Sequence, residues 1–194
     1  MRSAEAATGN LSARSHLIHL YLNGLYWGVY SFVERPDASF GAEHMGGGKS
    51  EYDSIKTHQE VVDGNRAAYD TLDSMRAAGL SSERAYRAVQ DYLDVSNLAN
   101  YMIVNMLAPS TDWPGNYYMV RRRGPRTTGF RLFSWDSEYA FLGGVSNNRT
   151  LPHRRDPDSP TKFYHALRAN EEFRSLFADR LQELLTGDGI LSPG

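Results

Sequence analysis

The sequence predicts an α+β protein, and three observations carry that reading. An Asn-Gly pair sits between two β-rich apolar runs near the start, three consecutive stretches then repeat apolar residues at three- and four-residue steps, and a second pair of strand-like runs follows them. Strands, helices, a hairpin and again helices succeed one another. That order indicates a small β-rich N-terminal part and a mainly helical C-terminal part with an embedded β-hairpin.

The elements follow in chain order. Residues 1–15, "MRSAEAATGNLSARS", are small and polar without an apolar segment, so they read as a loose, disordered tail and not as a signal peptide. "HLIHLYLNGLYWGVYSFVE", 16–34, is a hairpin turning at Asn23-Gly24, the pair suited to a two-residue type I′ turn. Both of its faces are apolar, which predicts cover on both sides. Pro36 and Asp37 open a short helix that Gly46 to Gly48 end. "YDSIKTH", 52–58, is a short third strand. Helices are predicted over 65–79, 82–93 and 96–108, with Ser82 and Ser96 as N-caps and Gly79 as a stop. Strands 117–122 and 129–135 form the second hairpin. A polar loop spans 143–160, and two helices, 162–169 and about 170–186, complete the pattern.

Composition removes several classes of function. The chain has 194 residues and a net charge of −2, so no general attraction to nucleic acid or to an anionic membrane surface is built in. No stretch approaches the ~20 apolar residues needed to cross a bilayer. The absence of cysteine excludes disulfides, thiolate metal ligands and thiol nucleophiles, and leaves the compartment undecided.

The chemistry concentrates in "STDWPGNYYMV" and "FRLFSWDSEYAF". Asp112 and Asn116 stand four apart just before one strand of the second hairpin; Asp136 ends the other strand, with Glu138 two residues on. Pairing of the two strands brings the start of one beside the end of the other, and so places the loop Asp and Asn next to Asp136. All these donors are oxygens, the kind that hard divalent cations such as Mg²⁺ select. Phe130 shares the alternating face of Asp136, so an aromatic ring lies upstream of the carboxylate. The same residues also fit plain structural duties: Asp112 as an Asx-turn, Asp136 as a cap. "RRR", 121–123, reads as a solvated strand end or a phosphate contact. "PHRRDP" is set aside as a catalytic loop, because in kinases that loop precedes the metal-binding Asp.

With these residues in place the chain resembles the CotH family, the spore-coat-protein-type atypical kinases. "HLYLNGLYWGVYSFVERPDASF", "YDSIK", "STDWPGNYYMVRRR", "FRLFSWDSEYAF" and "NEEFRSLFADRLQELLTGDGILSP" carry the resemblance, in family order, from about His16 onward. The resemblance implies a diverged protein-kinase-like fold, with 16–60 as a truncated N-lobe-like part and 61–194 as a C-lobe-like part. It further implies ATP as co-substrate, Mg²⁺ or Mn²⁺ as cofactor, and protein Ser or Thr hydroxyls as acceptors. On it, Asp112 is the catalytic-loop Asp, Asn116 the amide metal ligand and Asp136 the chelating Asp of the DFG type. Glu138 is a further ligand or hydrogen-bonding group, Phe130 the adenine platform, and Lys56 the phosphate-contacting lysine anchored by Glu34. Family members normally carry an extra β-rich segment ahead of the "YLNG" hairpin, and their DWP loop often holds one more polar residue. The alternative expectation is therefore an inactive, scaffold-type relative or a fragment of a larger protein. A metal-dependent phosphohydrolase ranks third, since such sites carry denser Asp/His clusters.

Overall fold

A computed structural model describes residues 1–108, 110–124, 126–140, 157–186, 189, 191 and 192. Its elements run α1 (Arg2–Ala7), β1 (Ser15–Leu22), β2 (Leu25–Val33), α2 (Ala38–Met45), β3 (Tyr52–Lys56), β4 (Glu60–Asp63), α3 (Ala67–Ala78), α4 (Glu83–Val89), α5 (Val95–Leu107), β5 (Tyr117–Arg122), β6 (Arg131–Ser134), α6 (Thr161–Leu167) and α7 (Glu171–Leu185). Helix and sheet are mixed as α+β.

The organising element is a four-stranded antiparallel sheet in the order β4-β3-β5-β6. Period-two alternation divides its side chains between two cores. One face carries Tyr52, Tyr118, Val120 and Phe133, which pack with Ala38 and Phe40 of α2 and with Ala13. The other carries Ile55, Tyr117, Met119 and Leu132, which join the larger core built from α3 to α7. Because β3 is hydrogen-bonded directly to β5, a boundary at residues 60/61 runs through a single sheet. Strand β4 is invisible in the sequence pattern: "EVVD" holds two apolar residues between two acids.

Local chemistry explains the helix starts. Asp37 caps α2 by accepting from the N–H groups of Ser39 and Phe40, and Ser82 caps α4 through Ala85. Helix α5 begins earlier than Ser96 suggests, because Asp94 accepts from the Asn97 N–H at 2.9 Å and serves as its cap.

Residues 1–15 are not a disordered tail. Helix α1 buries Glu5, its C-cap Thr8 is also buried, and Ala13 reaches the smaller core. The segment is held from α5 and α7: Asn100 Nδ2 donates to the Thr8 carbonyl at 3.1 Å and to Asn10 Oδ1 at 3.0 Å, and Arg180 Nη2 donates to the same Thr8 carbonyl at 2.8 Å. Asn10 Nδ2 in turn donates to the Asn97 carbonyl at 3.2 Å. The buried Asn100 within apolar α5 is the sequence signal for such a strap, since a buried amide requires partners and its Nδ2 finds them at Thr8 and Asn10.

The N-terminal hairpin forms as expected, with Asn23 at φ 50° and Gly24 at φ 79° giving the type I′ turn. Its expected cover is missing. β1 and β2 pair only with each other among the described strands, and Leu17, Leu25 and Phe32 are 77%, 70% and 65% exposed.

The outer edge of β6 meets side chains instead of a fifth strand. Asn97 makes a two-way contact with the Leu132 backbone, accepting its N–H at 2.7 Å and donating to its carbonyl at 3.3 Å. Replacing Asn97 by Leu strands two buried backbone groups, at about 1–3 kcal/mol each. Urea denaturation of Asn97→Leu is expected to show a loss on the order of 3 kcal/mol with an unchanged m-value.

Candidate functional site

The site grows out of the β5–β6 pairing. Tyr117 and Ser134 are register partners at the open end of the hairpin, so the residues just before β5 and just after β6 are neighbours. Trp135 N–H donates to the Asn116 carbonyl at 3.4 Å, and Asn116 Nδ2 donates to the Asp136 carbonyl at 3.4 Å. A second tie lies farther out, where Ser110 and Ala140 form an antiparallel bridge. Asp112 and Glu138 thus belong to two segments clasped at both ends.

The loop from Ser110 to Asn116 is anchored by Trp113, whose buried indole donates from Nε1 to the Tyr101 hydroxyl at 3.2 Å. Gly115 N–H closes a tight turn on the Asp112 carbonyl at 2.8 Å. The Asp112 backbone N–H donates to Ser110 Oγ at 3.3 Å, and Thr111 Oγ1 lies 3.5 Å from Asp112 Oδ1. The turn closes through the Asp112 backbone and not as the expected Asx-turn, since the residue two on is Pro114, which has no N–H; the carboxylate meets the Thr111 hydroxyl instead. Asp136 is exposed and takes a left-handed backbone at φ 51°. Asp is among the few side chains that tolerate this region, and the turn removes Asp136 from the alternating face that Phe130, Leu132 and Ser134 share.

A cavity of about 780 Å³ opens beside Asp136. Arg2, Phe32, Arg35, Trp135 and Glu138 line it together with Asp136. The Arg2 guanidinium lies 5.7 Å from the Trp135 ring centroid. The wall thus carries two arginines, two carboxylates and two aromatic rings. Behind it sits Glu5, whose Oε1 accepts the Ser134 N–H at 2.8 Å. Burial raises the Glu5 carboxyl above the ordinary glutamate range, and the hydrogen bonds from Ser134 and Ser12 only partly oppose that shift.

Three expectations about this region are corrected. Phe130 offers no platform for a base: it is fully buried, with its ring edge-to-face on Tyr69 at 6.3 Å. Phe130 and Leu132 share a strand face, but that face is the one covered by helices, and the left-handed turn takes Asp136 off it. Lys56 and Glu34 are not partners. Lys56 Nζ pairs with Glu60 at 3.1 Å, whereas Glu34 accepts the Arg14 N–H at 2.8 Å and lies 3.2 Å from His44 Nε2. Partial burial pushes the Glu34 carboxyl up, but the Arg14 and His44 contacts outweigh it and hold the group below the ordinary range. The arginine run, finally, is structural: Arg122 pairs with Glu51 at 2.7 Å, Arg123 with Asp53 at 3.5 Å, and Arg121 lies over the Tyr92 ring at 5.6 Å. Residues 153–156 lie outside the described residues.

Among the described residues no group of three His, Asp or Glu side chains converges as a ready metal cage. The oxygen set here includes an amide: Asn116, with its NH₂ turned to the Asp136 carbonyl, keeps its Oδ1 for another partner. The missed contributors are Trp135, Arg2 and Arg35. Trp135 stands next to Asp136 in the sequence, Arg2 enters through a folded N-terminal segment that its composition conceals, and Arg35 follows β2 directly.

The model of the CotH kinase protein family matches residues 6–188. The chain belongs to this family. A comparison with curated proteins returned no match. Among the described residues no helix is long and apolar enough to cross a membrane.

Two measurements follow from this geometry. Phe130→Ala is expected to cost about 3–5 kcal/mol in chemical denaturation, as for a core aromatic, with no separate effect on ligand affinity in whatever fraction remains folded. For Glu5, the raised folded-state value means that its contribution is complete below the unfolded value and is lost as pH climbs through the folded one. Unfolding free energies measured from acid to neutral pH should therefore fall in the native chain relative to Glu5→Gln, whose neutral amide keeps an acceptor for Ser134.

Proposed function

We propose that this chain is a Mg²⁺- and ATP-dependent protein serine/threonine kinase with a diverged protein-kinase-like fold. The observation that carries the reading is the clasp between Asn116 and Asp136 at the mouth of a nucleotide-sized cavity lined by both signs of charge. Asp136, Asn116 and Asp112 would hold the metal, with Glu138 as a further oxygen. Their donor chemistry fits Mg²⁺ and equally Mn²⁺. The bound cation would neutralise phosphate charge and set its orientation, which is most of what phosphoryl transfer requires of a protein.

The chain's own groups divide the remaining work. Arg2 and Arg35 face the cavity and supply the positive charge that phosphates need, a duty the sequence reading gave to Lys56. Trp135 and Phe32 provide the aromatic wall in place of Phe130. Asp112 stands in the clasped loop, where its carboxylate can orient an acceptor hydroxyl and take its proton as the oxygen bonds to the γ-phosphorus and the β–γ bridge opens. Family membership supports nucleotide and protein hydroxyl as the two partners.

A second reading, a non-catalytic member that binds without turnover, draws on one observation: the Lys56–Glu34 pair is replaced by Lys56–Glu60 and Glu34–His44. Thermal unfolding with millimolar Mg-ATP separates nucleotide binding from its absence, because a ligand at 100 times its dissociation constant adds about 2.7 kcal/mol. Transfer of the labelled γ-phosphate to a generic basic protein should occur with the native chain and fall at least ~100-fold in Asp136→Asn. A thermal shift without transfer establishes the second reading, and neither effect rejects both.

A further inference from the structure

A second cavity, of about 600 Å³, lies at the other end of the sheet, and Arg121 stands in its wall. Along β5, Arg121 follows Tyr117 and Met119 on the face turned to the helices. At ~3.3 Å per residue it lies roughly 13 Å from Tyr117, the residue beside the Asn116–Asp136 clasp, so a phosphate held at Asp136 does not reach it.

Arg121 is held in place but not neutralised. Its guanidinium lies 5.6 Å from the Tyr92 ring centroid and 5.7 Å from that of Phe130, and Nη2 donates to Thr127 Oγ1 at 2.9 Å. Its Nε is buried without a hydrogen-bond partner, and Nη1 has none among the described residues. Other arginines that are at least half-buried (Arg76, Arg122, Arg123, Arg131 and Arg180) each have a carboxylate at 2.6–3.5 Å. Among the described residues Arg121 shares the lack of one only with Arg2, which faces the cavity where the proposed function puts phosphates. Asp53, the register partner of Arg121, is committed elsewhere: its Oδ1 accepts the Asn65 N–H at 2.9 Å and pairs with Arg123. Burial pushes the Arg121 guanidinium below its ordinary range, and the attraction of Asp53 offsets this only in part. A cation taken from water without a counter-charge is costly, and a bound anion removes that cost.

We infer that this cavity is a second anion site, built for a phosphate monoester group and separate from the Asp136 cavity. Its free donors come from three segments. Arg121 offers Nη1 from β5, and the Thr127 hydroxyl, which accepts from Arg121, keeps its own proton to donate. The start of α3 supplies the rest: Asn65 has its Oδ1 on the Ala67 N–H and its Nδ2 unused, and the Ala68 N–H has no acceptor among the described residues. The N-cap of this 12-residue helix is Arg66, which makes no side-chain cap bond, so the positive end of the helix adds to the arginine. Donors spread over three segments suit the three oxygens of a phosphate monoester better than the two of a flat carboxylate. Asp91, also in the wall, is exposed and forms no ion pair with Arg121. A nucleic-acid backbone fits less well, because it calls for a row of free cations and this cavity has one.

Amide spectra of the ¹⁵N-labelled chain, titrated without Mg²⁺ at constant ionic strength, test the site with two probes: inorganic phosphate and a phosphothreonine peptide. The expected result is saturable movement of the Ala68, Thr71, Arg121 and Thr127 signals, with a dissociation constant of about 1–10 mM for inorganic phosphate. Tighter binding of the peptide than of its unphosphorylated form and of inorganic phosphate assigns the group to a protein side chain; equal or weaker binding assigns it to the free ion. Arg121→Leu should weaken binding at these signals at least ~10-fold, while Arg174→Leu on exposed α7 should leave it within ~2-fold. Where Arg121→Leu does not fold, Arg121→Lys keeps a charge but loses the planar fork, and should weaken binding ~3-fold. Shifts that grow linearly without saturating, or that chloride reproduces, overturn the inference. So do saturable shifts confined to residues 134–138, or binding that the Arg121 variants leave unchanged.

Discussion

The outer edge of β6 is closed by side chains and loop backbone, residue by alternate residue. Phe130 N–H donates to the Tyr92 carbonyl and its own carbonyl accepts the Asp94 N–H; Asn97 takes both groups of Leu132; Glu5 takes the N–H of Ser134. These are the groups that a further strand would otherwise satisfy, and leaving them buried and bare would cost more than their pairing gains. Three parts of the chain, the strap, the start of α5 and the turn before it, are thereby fastened to one strand. β6 in turn fixes β5 through their shared register. Asn116 and Asp136 meet because both strands are held at that end.

This arrangement gives the site a particular mechanical character. Asp112, Asn116 and Asp136 lie on loops, but the loops are tied down: Trp113 to Tyr101 in α5, and Trp135 to the Asn116 backbone. Ser134, which precedes this turn, has its N–H on Glu5 and its Oγ within 2.9 Å of Asn105 Nδ2. In the proposed function such support favours ligand binding, because little ordering then remains to be done. Part of the facing wall, Phe32, belongs to the hairpin whose strands pair only with each other among the described strands.

What could be read in the sequence was what depends on neighbours. Asn23-Gly24 sets its turn through two backbone angles, and the hairpin of 117–122 with 129–135 dictates that 116 and 136 adjoin. What could not be read depends on distant partners or on which side of a sheet is covered. The strap at 1–15 looks featureless because its bonds come from Asn97, Asn100 and Arg180. Phe130 and Asp136 share a strand parity, yet parity does not tell whether helices or solvent lie above it, and the left-handed turn at Asp136 breaks it. Lys56 has a nearer carboxylate in Glu60, and Glu34 a nearer hydrogen-bond partner in His44. Surface ions take the partner that costs least side-chain ordering.

The placement of the first residues has a practical side. Met1 and Arg2 sit on the rim of the cavity that Asp136 enters, so any polypeptide spliced ahead of them emerges at that mouth. An affinity handle added there would work as a stopper, competing for the opening with whatever the cavity admits.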